Sequence, residues 1–285
     1  MPRHLPASNS WILERKIPGS GHIDAMGCYP IFACEEWSGL RADLESLPAG
    51  IIALAVVTDP FGHYDLTLLR ECFPDRVKPF KQHFVVDLSR KLESFVHPHH
   101  LRNARKASRS LQIELIKDSS KFLDDWIRLY EELVVRHDIT GIPAFSRESF
   151  DGQLKVPGLV AFRAVYDGAA EGMLLWYVQG RVAYYHLGAY SARGYDLGAS
   201  FALFSQAIEY FTSQGLSWLN LGGAPGAGEG KASGLVRFKE GWSTGVRTAY
   251  FCGRIVDPVK YAELVRAKGI GETEYFPAYR LGEFG

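Results

Sequence analysis

The chain has 285 residues, 47% hydrophobic and 22% charged, which suits an ordered globular protein with ample material for a core. Its 32 basic and 32 acidic residues cancel, so no global field draws it to nucleic acid or anionic lipid. Any polyanion must be held by a local patch.

In the first hundred residues, 29–34, 51–57 and 83–88 read as short strands, being apolar or β-branched runs separated by Pro- and Gly-containing turns. Residues 66–72 suit a short helix capped by Asp65 and stopped by Pro74. The His97-Pro98-His99-His100 run marks an expected boundary between a domain of residues 1–100 and one of 101–285. A basic helix start follows at 101–107, then a strand at 111–116. Ser119 and Ser120 can cap an amphipathic helix whose apolar face is Phe122, Trp126, Leu129, Tyr130 and Leu133. A shorter helix is expected after Ser146. The strands 159–166, 172–178 and 182–187, joined at Asp167-Gly168 and Gln179-Gly180, form an antiparallel meander. A helix over 199–211, a strand over 217–221 and a late strand over 247–255 complete the pattern. This order is not a doubly wound alternation. It predicts an α+β (mixed α/β) fold, a mixed sheet with helices packed on it.

Two places carry chemistry. The stretch 222–242, GGAPGAGEGKASGLVRFKEGW, puts a glycine-rich loop straight after a buried strand and leads to Arg237-Phe238-Lys239. Fixed positive charge beside a loop can hold an anionic donor and stabilise charge developing on a carbonyl oxygen. A dinucleotide fingerprint fails there because Lys231 stands at the third glycine position and Gly234 is expected to interrupt any helix. A phosphate-binding P-loop fails because Pro225 and Ala232 replace the required glycine and hydroxyl residue. The loop is expected to close over substrate. The second place is Arg102, Arg105, Lys106 and Arg109, which share one face if the segment is helical and could meet phosphates. A solvated face explains them equally well.

Four stretches from residue 101 onward share a pattern: LRNARKA at 101–107, YYHLGAY at 184–190, RGYDLGAS at 193–200, and LNLGG…GLVRFKEGW over 219–242. In these the sequence resembles the Gcn5-related N-acetyltransferase (GNAT) superfamily, and more closely its Fem-type branch. Fem-type enzymes build peptidoglycan cross-bridges and related amides from aminoacyl-tRNA, on two GNAT-like domains. The resemblance therefore implies a GNAT-like mixed sheet flanked by helices, with residues 1–100 an abbreviated N-terminal GNAT-like domain. It implies transfer of an aminoacyl group from aminoacyl-tRNA to an amine of a small precursor or peptide, with no tightly bound cofactor. It places Phe238 and Lys239 at the donor ester, Lys239 as the catalytic cation, with Arg237, Gly222 and Gly223 beside the donor.

The same resemblance sets Arg193 and Gly198 where acyl-CoA pyrophosphate would bind a helix N-terminus, but Asp196 replaces the central glycine and suits a helix N-cap instead. Acyl-CoA-dependent N-acetylation is accordingly the alternative donor chemistry, and a non-catalytic binding module a second alternative. Arg102, Arg105 and Lys106 would contact tRNA or another phosphate. His186, on a central strand, is a candidate for taking the amine's proton, against a satisfied core histidine. Neither Cys28, Cys34, Cys72 and Cys252 nor the histidines at 97–100 fall at a familiar zinc spacing, so no metal is expected. The polar N-terminus lacks a signal-peptide run, and the longest aliphatic run, 51–57, is far short of the ~20 residues that span a bilayer. A cytoplasmic protein without membrane insertion is expected.

Overall fold

The computed structural model describes residues 1–118, 122–141, 144–223 and 231–283. The chain forms two compact units, one of residues 1–82 with 247–285 and one of 83–246.

The first unit opens with β1 (Pro2–Leu5), β2 (Ser10–Lys16) and β3 (Ile23–Gly27), paired antiparallel in succession. Helix α1 (Leu40–Glu45) crosses to β4 (Ile51–Val57), which runs parallel to β3. The carboxylate of Asp43 on α1 accepts from the Ser8 N–H at 2.7 Å and the Ala7 N–H at 3.0 Å, satisfying the β1–β2 turn. Helix α2 (Leu66–Cys72) is capped as expected, Asp65 accepting from the Leu68 N–H. Residues 29–34 do not form a strand; they make isolated bridges only, at Phe32 and Cys34. Pro30 has no N–H to give to a ladder, which is the physical reason. Ile12, Phe32, Trp37, Leu54 and Phe73 form the core.

Strand β5 (Arg76–Asp87) carries the chain into the second unit. There follow α3 (Pro98–Ala107), β6 (Gln112–Ile116), α4 (Leu123–His137) and α5 (Arg147–Gln153). The meander is β7 (Leu159–Tyr166), β8 (Ala169–Gln179) and β9 (Val182–Tyr190), with β6 antiparallel on its outer edge. Helices α6 (Ala192–Leu197) and α7 (Ala199–Ser213) then return the chain to β10 (Trp218–Gly223), parallel to β9 and antiparallel to the end of β5. Helix α8 (Lys231–Trp242) follows. One sheet face packs on α3, α7 and α8 through Trp176, Phe204, Phe211 and Trp242; the other packs on α4 and α5 through Trp126, Tyr130, Phe150 and Leu175.

Two expectations change here. The domain boundary does not fall at 100/101: residues 83–87 pair with β10, and Val86 and Leu88 sit in the second unit's core. Gly234 does not break the segment after the loop, because the apolar side chains of Phe238 and Trp242 anchor it as helix. Ser119, Ser120 and loop residues 224–230 lie outside the described residues.

The chain returns to the first unit on β11 (Gly245–Ile255), antiparallel to β4, and ends with α9 (Pro258–Ala267) and a tail. The tail is fixed by Arg280, whose guanidinium grips the buried Asp24 carboxylate of β3 at 2.5 and 2.9 Å. A bidentate pair of this kind combines charge with fixed geometry.

Candidate active site

Strands β9 and β10 are paired only from Val182–Tyr184 to Trp218–Asn220. Among the described residues β9 then runs on to Tyr190, and β10 to Gly223, without further mutual pairing. Two parallel strands that part in this way leave a cleft edged by backbone groups, which can receive an extended ligand as a strand would.

At the parting point β10 is irregular, with a register shift against β5 between Asn220 and Gly223 and a left-handed φ of +79° at Gly222. Asn220, 2% exposed, folds its side chain back so that Oδ1 accepts from the Gly222 N–H at 2.8 Å. The same oxygen lies 3.0 Å from Nδ1 of His83, which is also buried and stands opposite Gly223 in the β5–β10 ladder. Lys239 comes to this point from α8. It is only 7% exposed, and its Nζ donates to the Gly223 carbonyl at 2.9 Å. A side chain at Gly222 would begin 3.3 Å from that ammonium, so the glycine leaves the nitrogen its space. The structure thus brings Lys239, Gly222 and Gly223 together, with Asn220 and His83 bonded beside them.

The rest of the cationic stretch divides by helix face. Arg237 is exposed, whereas Phe238 packs into the core against Phe201 and Phe204. Helix α8 is positioned by His100 of α3, whose Nε2 donates to the Phe238 carbonyl at 3.1 Å. The His97 N–H donates to the Gly241 carbonyl at 2.9 Å. Burial pushes the His100 imidazole below its ordinary pKa, keeping it neutral. Any side chain at Gly241 would meet that ring at 2.5–2.9 Å, which is why glycine precedes Trp242. His100 was legible only as part of a histidine run, and His83 by no pattern; Asn220 lay within the LNLGG motif.

The segment where a pyrophosphate was considered is occupied by the chain itself. Ser191 caps α6, accepting from the Gly194 N–H at 2.9 Å while its hydroxyl donates to the buried Glu171 carboxylate. The Ala192 N–H donates to Glu132 at 3.3 Å. Arg193 is largely exposed and pairs with Glu171 at 3.7 Å. Asp196 is not the N-cap that was expected: it lies inside α6, and the left-handed Gly198 joins α6 to α7. Ser191 takes the cap because it, rather than Asp196, precedes the first helical turn.

His186 lies on the α4/α5 face, its Nε2 2.7 Å from Gln153 Oε1 and its ring against Phe145 and Tyr177. Burial pushes its pKa down to about 4. Helix α8 packs on the opposite face, so His186 does not join Lys239. Arg102, Arg105 and Lys106 are exposed along α3. Burial pushes the thiols of Cys34 and Cys252 up to about 12, which removes them as nucleophiles near neutral pH. Among the described residues, no group of three or more His, Cys, Asp and Glu side chains could hold a metal, and no helix is long and apolar enough to cross a membrane.

A meander, a helical crossover into a parallel strand that splays away, and a buried lysine at the splay define a scaffold for acyl transfer. Residues 98–239 match the acetyltransferase (GNAT) domain family. The chain belongs to the GNAT superfamily and is an acyltransferase. No curated protein matches its sequence. Among solved structures, FemX aligns with a TM-score of 0.72 at 12% identity, over 89% of this chain and 86% of FemX. L-PGS from Bacillus licheniformis aligns at 0.62 and 15% identity, over 95% and 90% of the two chains. The C-terminal domain of a candidate lysylphosphatidylglycerol synthetase from Agrobacterium fabrum gives 0.62 and 16%, over 93% and 86%. These likenesses show the fold.

Proposed function

We propose that the protein is a Fem-like acyltransferase that forms an amide, moving an aminoacyl group from the ester of aminoacyl-tRNA to an amine of a small precursor or peptide. In this reading the amine attacks the ester carbonyl directly. The Lys239 ammonium, held at the Gly223 carbonyl, steadies the oxyanion of the tetrahedral intermediate. Gly222 and Gly223 form the backbone wall of the donor site, and Phe238 sets the lysine's helix in place.

The observation that carries the donor assignment is the filling of the pyrophosphate position. An acyl-CoA needs open N–H groups there. The first N–H groups of α6 are instead taken by Ser191 and Glu132, and Arg193 is engaged by Glu171. A carboxylate at that place repels a pyrophosphate; a tRNA ester makes no such demand. Likeness to FemX and to an enzyme named for lysylphosphatidylglycerol is consistent with an aminoacyl donor. One feature favours acetyl-CoA as a second reading: α7 begins at Ala199 behind Gly198, which offers no side-chain cap.

The test is direct. Purified protein is mixed with candidate amines and either charged tRNA or acetyl-CoA, with and without ribonuclease. The expected product requires charged tRNA and is abolished by ribonuclease. Product from acetyl-CoA that ignores ribonuclease overturns the donor assignment.

A further inference from the structure

We infer that Tyr185 gives the leaving oxygen of the donor ester its proton, with Tyr190 holding the Tyr185 hydroxyl in place; this deepens the reading above and rests on Lys239 marking the carbonyl oxygen. Both tyrosines belong to the YYHLGAY stretch at 184–190. They share a sheet face because β9 carries an extra residue: Trp176 pairs with Tyr185, but Leu175 pairs with Leu187. Beyond that bulge Gly188 pairs with Leu174 and Tyr190 with Gly172. Tyr185, Gly188 and Tyr190 therefore lie on the face of Leu174 and Trp176, the one on which α7 and α8 pack. The Tyr185 ring is 5.2 Å from that of Phe204, which is 5.0 Å from that of Phe238, the neighbour of Lys239.

The two hydroxyls meet over a residue without a side chain. A Cβ at Gly188 would lie 2.5 Å from the Tyr185 oxygen and 3.0 Å from the Tyr190 oxygen, and the two phenols are hydrogen-bonded to one another. They carry two hydrogens, of which only one can lie between the oxygens. The other is left to be donated outward. Tyr190 is 8% exposed, whereas Tyr185 is only partly buried, so the outward hydroxyl is that of Tyr185. Burial raises both phenols above their ordinary pKa, and each keeps its hydrogen near neutral pH.

Position follows from where the strands part. The last pair of β9 with β10 joins Tyr184 to Asn220. Tyr185 is the next residue on one lip; Gly222 and Gly223, beside which Lys239 Nζ is held, follow closely on the other. An ester lying between the lips presents two oxygens. The ammonium takes the carbonyl oxygen, and the phenol on the facing lip is left to the oxygen that departs. The step balances without any further reactant. The amine nitrogen bonds to the ester carbon, and the carbon–oxygen bond to the ribose breaks. The departing oxygen takes the Tyr185 hydrogen, and the phenolate takes the proton that the nitrogen must lose. One amide and one free hydroxyl result.

Substitutions in the full chain test the role. Tyr185→Phe keeps the ring and removes one oxygen. It is expected to melt like wild type and to lower kcat by about 100-fold with KM for charged tRNA changed little, since a positioned acid supplies roughly 10²–10⁴. Tyr190→Phe leaves Tyr185 whole but unheld, and is expected to lower kcat by about tenfold. The double variant is expected to be no slower than Tyr185→Phe, because Tyr190 acts only through Tyr185. A folded Tyr185→Phe or Tyr190→Phe with wild-type kcat, or a Tyr185→Phe that raises KM alone, overturns the inference while leaving acyl transfer intact. A double variant slower than Tyr185→Phe overturns the positioning role of Tyr190. Wild-type product that requires acetyl-CoA overturns the donor assignment, and this inference with it, since a thiolate leaves without a proton. A wild-type chain inactive with both charged tRNA and acetyl-CoA overturns the acyl-transfer reading itself.

Discussion

At Lys239 a side chain that ordinarily lives in water is drawn almost wholly inside and bonded to the Gly223 carbonyl. Removing an ammonium from water costs free energy that a carbonyl dipole offsets only in part. An apolar chain of similar volume should hold the fold at least as well, which makes a clean separation of stability from chemistry. Lys239→Met is expected to leave the melting temperature unchanged or raised while kcat falls by roughly two orders of magnitude or more, as when one oxyanion donor is lost. Loss of both together would make the lysine merely structural. His186 provides the opposite case, a histidine whose consequence is stability. Its folded pKa of about 4 lies below the ordinary value of 6.5, so between those values the unfolded chain binds the proton and the folded chain does not. Its contribution is therefore complete above about pH 6.5 and is lost as pH falls towards 4, by up to about 3 kcal/mol. Denaturant midpoints from pH 4 to 7 should fall less steeply in His186→Gln than in wild type.

Among the elements, α8 carries the catalytic proposal, and its placement depends on a contact between glycine and histidine. Gly241→Ala would drive a methyl into the His100 ring and part α8 from α3. A cost of about 1–3 kcal/mol is expected by denaturant unfolding, the usual range for overpacking. His100→Ala should relieve much of that cost in the double variant, giving a coupling that independent sites do not show. The same helix explains which elements were legible in the sequence. Strands β7 to β9 and capped helices such as α2 carry their signal locally, in apolar runs, turn residues and a side-chain cap. Helix α8 does not. Gly234 disfavours helix by about 1 kcal/mol locally, and the helix exists because Phe238 and Trp242 bury themselves against α7 residues distant in sequence. Asp196 misled for a similar reason. It is a good cap residue in a place where Ser191, three residues before Gly194, already completes the cap.

For the whole molecule, the sequence supplied the fold class but not the division of the chain. A C-terminal stretch that returns to pair with β4 leaves no local mark, because Asp24 and Arg280 meet only when the chain has folded. His83 escaped notice likewise, since its meaning lies in Asn220, 137 positions away. Charge, by contrast, is a global property that sequence reports directly, and it bears on the donor. With 32 charges of each sign the protein has no net field, so attraction to a tRNA must come from a patch. Arg102, Arg105 and Lys106, exposed along α3, form one. Each phosphate they neutralise releases counterion and adds about 0.7–0.9 to the slope of log affinity against log salt. Replacing all three by glutamine should therefore weaken charged-tRNA binding at low salt and flatten that slope by about 2 to 3. The same variant should leave the melting temperature near wild type, since the three side chains are solvent-exposed. A wild-type slope that the triple variant does not alter would remove α3 from the tRNA path and leave the nucleic acid to be held elsewhere.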